Sequence, residues 1–168
     1  MKKLNYITIA LIMLTTVLET VNAQHKLPVN AEKLIAYKGE VAIDSVKQEI
    51  MAEKAAEWLR AHYFSGEVVQ DETDKALVVR GFFRMPEFNE EGTMYHECRI
   101  KLDEGKYTYI FHNFIYTEPG GVSFPAESYP AGWKGDERFY ELMNNGVTLM
   151  IEDLQKYMAS GVAANKLQ

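Results

Sequence analysis

Between Val46 and Phe64 the apolar side chains Val46, Ile50, Ala55, Trp58 and Leu59, followed by His62 and Tyr63, recur at spacings of three and four. That period predicts an amphipathic helix from about Val46 to Phe64, ended near Gly66. Ser45-Val46-Lys47-Gln48 has the form of a capping box, with Ser at the N-cap and Gln three residues on. A second apolar stripe, Phe139, Leu142, Met143, Val147, Met150, Ile151, Leu154 and Met158, predicts a final helix capped by Asp136 and ended by Gly161.

Elsewhere the alternation has a period of two. It predicts a strand from about Leu34 to Ile43, then Glu67 to Gln70 paired with Ala76 to Met85, and, after a break from Pro86 to Gly92, Met94 to Leu102 paired with Lys106 to Tyr116. Asp103-Glu104-Gly105-Lys106 suits a two-residue turn, with Gly at a positive-φ position and Asp103 opposite Lys106. That register puts Cys98, Ile100 and Leu102 on one face with Tyr107, Tyr109 and Phe111, which is the core face. The other face takes Tyr95, Glu97, Arg99 and Lys101 opposite Thr108, Ile110, His112 and Phe114, with Tyr116 beyond. The order β-α-β-β-β-β-α predicts an α+β two-layer sandwich, an antiparallel sheet with both helices on one face and the other face open.

The first residues follow a different rule. Lys2 and Lys3 precede an apolar run from Tyr6 to Leu18, and Val21-Asn22-Ala23 places small residues at −3 and −1. This is the layout of a cleavable secretory signal, cut before Gln24. The run is shorter than the ~20 residues a membrane span needs, and no cysteine stands near the cut for lipid attachment. The expected domains are a signal at 1–23, a polar lead-in at 24–33, one α+β domain at 34–160 and a tail at 161–168. The expected location is the periplasm or the exterior. Losing Lys2, Lys3 and Glu19 makes the remainder one unit more acidic than the whole chain's net charge of −6. That balance argues against a nucleic-acid partner. Cys98 is the single cysteine, so no internal disulfide can form.

Tyr37-Lys38-Gly39-Glu40-Val41, the helix segment Ala55-Ala56-Glu57-Trp58-Leu59, Val68-Val69-Gln70-Asp71 and Val78-Val79-Arg80-Gly81 together resemble a family of exported bacterial domains of unknown function. The resemblance covers roughly Leu34 to Tyr116. It implies a TATA-binding-protein-like fold and carries over no activity, cofactor or catalytic residue. A fold name does not import DNA binding.

Candidate chemistry is sparse. Cys98 would need His96 or His112 as a base; His112 falls on the opposite face and His96 is two residues along the same strand, so a buried structural thiol is expected. His25, His62, His96 and His112 have no zinc-ligand spacing, and no motif points to a metal or a cofactor. His62 is expected to pack partly buried on the apolar face of the helix. Glu97 and His112 face each other across a hairpin, as a carboxylate and base of a hydrolase-like enzyme or as a plain cross-strand pair. Glu118 to Gly135 reads as a long irregular connection rich in Pro, Gly and aromatics. Its Phe124, Tyr129 and Trp133, together with Tyr95, Ile110, His112 and Phe114 on the second sheet face, form the candidate binding surface for an envelope protein, a peptide or a glycan.

Overall fold

The computed structural model describes residues 27–43, 46–63, 66–87, 90–129 and 136–160. The expected signal at 1–23, Ser45, Phe64, Trp133 and the expected tail at 161–168 lie outside them. The elements are β1 (Tyr37–Ala42), α1 (Gln48–His62), β2 (Val69–Gln70), β3 (Leu77–Glu87), β4 (Glu90–Asp103), β5 (Lys106–Thr117), β6 (Ser123–Pro125), a 3-10 turn at Ala126–Ser128, and α2 (Asp136–Ala159). The antiparallel sheet runs β1-β5-β4-β3-β2, with β6 also on β5.

β5 organises this layout. Its outer edge is shared: β1 pairs along Lys106–Phe111 and β6 along Ile115–Thr117. The hairpin between β4 and β5 has the expected register, with Asp103 opposite Lys106 and Gly105 at φ 73°. That left-handed conformation suits the residue that lacks a Cβ.

α1 buries Met51, Ala55, Trp58 and Leu59. Trp58 lies beneath α2, where its indole N–H donates to Asp153 Oδ2 at 2.7 Å. Lys54 Nζ donates to the Met158 carbonyl at 2.9 Å and also to that of Ser160, satisfying acceptors that the end of α2 leaves open. The expected capping box is corrected. Val46 and Lys47 are not helical, and Lys47 stands at the N-cap with no side-chain bond. Gln48 instead donates its side-chain amide N–H to the Leu102 carbonyl at 2.6 Å, which ties the start of α1 to the sheet.

The connection after β5 is more ordered than its composition suggests. Gly121 N–H bonds to the Glu118 carbonyl and Glu118 N–H to the Val122 carbonyl, both at 2.8 Å. This turn, with Gly121 at φ 85°, returns the chain as β6. The predicted irregular loop thus contains a sixth strand.

A β-bulge changes the faces of the sheet. Tyr95 pairs with Ile115 and Glu97 with His112, so His96 alone opposes both Asn113 and Phe114. Asn113 takes φ 56°, a left-handed conformation that Asn tolerates better than most residues. One extra residue reverses the alternation beyond it. The expected placement of Phe114 and Tyr116 on the open face is therefore wrong. Both are core residues, each 1% exposed, and Ile115 emerges in their stead.

Candidate functional site

On the open face, Phe82, Tyr95 and Ile115 are 47%, 45% and 44% exposed. Each belongs to a different strand, β3, β4 and β5, and the pairing places them side by side: Phe82 opposite Tyr95, and Tyr95 opposite Ile115. The Phe82 and Tyr95 rings lie 5.6 Å apart at 51°. They floor a concavity of about 880 Å³, walled on the far side by Leu34 and Pro125. A short segment before β1, tied by the Val29–Ile35 bridge, raises that wall. Ile35 N–H donates to Glu127 Oε1 at 2.7 Å, joining the wall to the turn after β6.

The polar part of the site centres on Glu97, which is only 8% exposed. Arg80 Nε lies 3.2 Å from its Oε2, His112 Nε2 3.2 Å from its Oε1, and Arg99 Nη1 3.9 Å from the same oxygen. Three cationic or ionisable neighbours offset the desolvation of one carboxylate. The His112 contact is close but is not aligned as a hydrogen bond. Arg99 Nη2 also bridges Asp71 at 2.7 Å and Asp74 at 3.1 Å. The bond from Arg99 holds the Asp71 carboxyl below the usual range, and the Arg99 guanidinium is raised in turn.

The sequence-predicted residues divide. Tyr95 and His112 line the main concavity. Ile110 is half-buried in a second hollow of about 460 Å³ toward the hairpin end of the same face. Phe114 belongs to the core. Phe124 and Tyr129 are half-buried and pack inward: Phe124 meets Tyr116 edge to face at 5.6 Å, and Tyr129 stacks on Phe139 at 3.8 Å and 6°. Phe82, Ile115 and Leu34 are additions. Phe82 had a signal in the sequence, since Val78, Arg80, Phe82 and Arg84 alternate onto one face of a strand; Ile115 had none without the bulge.

Beneath this face lies a buried polar group. The Tyr63 hydroxyl lies 2.9 Å from His96 Nε2, with Phe83, Phe111 and Phe114 around the imidazole. Burial holds His96 down to about 4, and burial pushes the Cys98 thiol up. Cys98 is wholly buried, as expected for a structural thiol. His62 stacks on Trp58 at 4.5 Å, with Nε2 3.0 Å from Asp153. Among the described residues no cluster of three or more His, Cys, Asp or Glu side chains could hold a metal ion, and no helix is long and apolar enough to cross a membrane.

No protein-family model matches the chain, and no curated protein matches it. Solved structures that share its fold include two bacterial proteins. One is a TBP-like protein from Parabacteroides distasonis, with TM-score 0.70 and 14% identity over 79% of this chain and 97% of that one. The other is a DUF4468 family protein from Bacteroides ovatus, with TM-score 0.68 and 10% identity over 80% and 91%. At such identities the likeness shows the fold alone. The chain has the TBP-like α+β architecture that its sequence resemblance implied.

Proposed function

We propose that this chain is an exported, non-enzymatic binding or assembly module that holds an envelope partner, a protein, peptide or glycan, on the open face of its sheet. The observation that carries this reading is the exposed row of Phe82, Tyr95 and Ile115 across three strands, flooring a concavity of about 880 Å³. Adjacent exposed apolar side chains on a sheet mark an interaction surface more often than scattered ones do. Export is supported by Lys2, Lys3, the Tyr6 to Leu18 run and Val21-Asn22-Ala23.

The hydrolase-like alternative receives less support. Glu97 is shared among Arg80, Arg99 and His112, and the described residues lining the concavity around His112 include no Ser, Thr or Cys. A photo-crosslinking residue at Tyr95 tests the binding reading, with Leu149 on α2, itself 66% exposed, as the control. A discrete adduct at Tyr95 and none at Leu149 is expected in the native envelope. Equal patterns at the two positions would remove the open face from the function.

A further inference from the structure

The concavity on the open face is floored by aromatic rings and rimmed by polar side chains whose bonding capacity is only partly used. Asn30 accepts the Glu32 and Leu34 N–H groups at Oδ1, at 3.0 and 2.9 Å, which leaves its amide nitrogen to donate. Glu127 gives Oε1 to the Ile35 N–H and keeps Oε2 to accept. Arg80 donates from Nε to Glu97, and its terminal nitrogens stand on a side chain 85% exposed. Asn113, exposed at the bulge, brings a second amide. All of them line the same hollow as Phe82, Tyr95 and Ile115. Donors and acceptors therefore both surround an apolar floor.

Backbone pairing, exposure and charge narrow the occupant. β4 pairs with β3 on one side and β5 on the other, so the backbone at Tyr95 is engaged within the sheet. A peptide laid over it finds no strand to extend. Phe82 and Tyr95 stay nearly half exposed, so an acyl chain resting on them would keep much of its surface in water. Arg80 and Glu97 offset each other and Glu127 remains, so the lining holds no excess of positive charge to draw in an anion. The ligand that suits this site has an apolar face, a rim of groups that both donate and accept, and no charge.

We propose that the concavity binds a neutral oligosaccharide, with a pyranose ring laid by its C–H face on the Tyr95 and Phe82 rings. This rests on the binding reading of the open face and names its occupant. The face of an aromatic ring is negative and a sugar's C–H groups carry the opposite partial charge, so stacking adds to the apolar contact. A hydroxyl both donates and accepts, and so can bond to the amides of Asn30 and Asn113, to Arg80 or to Glu127. The volume of about 880 Å³ lies within the range of ligand sites.

Affinity electrophoresis of the chain tests this, in native gels that each carry one polysaccharide: a β-glucan, a mannan, a xylan, a galactan, and polygalacturonate as the anionic control. At least one neutral polymer is expected to retard the chain, and polygalacturonate is not. Tyr95→Ala should weaken that retardation about tenfold, while Tyr95→Phe, which keeps the ring, should stay within about twofold of the parent. Leu149→Ala on α2 is the control expected to change nothing, and circular dichroism checks that each variant folds. No retardation by any neutral polymer, equal retardation by polygalacturonate, or undiminished binding by a folded Tyr95→Ala would each overturn the proposal. A protein adduct at the Tyr95 crosslinker without retardation rejects the glycan and leaves the binding face standing. Loss of both the adduct and the retardation rejects the face itself.

Discussion

The Tyr63 hydroxyl and His96 Nε2 meet at 2.9 Å inside a cage of phenylalanines, and this contact spans from the end of α1 to the middle of β4. The imidazole is held neutral there by burial, with its pKa lowered to about 4 from an ordinary 6.5. A group whose folded pKa lies below its unfolded one contributes stability that is complete above the unfolded value. That stability is lost as pH falls from about 6.5 toward 4. The loss is on the order of 3 kcal/mol. Urea midpoints at pH 7.5 and 4.5 should differ markedly in the parent and less in His96→Phe. An equal difference in both proteins would show that His96 is not the group responsible.

Trp58 is fully buried, bonded to Asp153 and stacked beneath His62. Trp58→Ala should lower stability by about 3–5 kcal/mol, through lost burial and the cavity left behind. Trp58→Phe, which keeps part of the apolar volume, should fall between. Chemical denaturation measures both, and a Trp58→Ala midpoint equal to the parent's would place this side chain outside the core.

Gly81 lets the Tyr63 ring lie flat against β3, and a Cβ there would overlap the ring. Gly81→Ala should cost about 1–3 kcal/mol by overpacking, although a strand otherwise accommodates Ala without strain. A thermal midpoint within error of the parent would mean that the ring moves aside freely.

Asn113 keeps its left-handed conformation so that Phe114 can turn inward. Asn113→Gly should be close to neutral, whereas Asn113→Val should cost about 1–2 kcal/mol, because a branched Cβ is crowded at positive φ. Comparing their unfolding midpoints tests the bulge itself. Equal stability of the two variants would indicate that the valine variant pairs straight through this region.

Much of the architecture was legible because periodicity and burial agree. The α1 stripe and the Glu104-Gly105 turn each carry a local signal strong enough to set an element or a register. The bulge carries none. From Ile110 to Tyr116, apolar residues occupy both parities, so shifting the pattern by one residue leaves it almost equally hydrophobic. β6 was missed for a different reason. Ser123-Phe124-Pro125 is too short to announce a strand, and it pairs only because β1 leaves the end of β5 uncovered. The candidate site inherited both errors, gaining Phe114 and losing Ile115, while the Glu97–His112 pairing survived because it precedes the bulge.

The shared edge of β5 also sets how far the chain tolerates trimming. β6 returns to β5 through a short turn, so that half of the edge can close as soon as β5 exists. β1 must come back across α1 and two hairpins before Val41 meets Tyr107, a late event in folding because its loop is long. Proteolysis that removes β1 would strip Lys106–Phe111 of its neighbour while leaving the rest of the sheet assembled. The product would be a remnant whose β5 has a bare outer edge, prone to pair with its own kind. The tolerated limit of N-terminal processing therefore lies ahead of Tyr37.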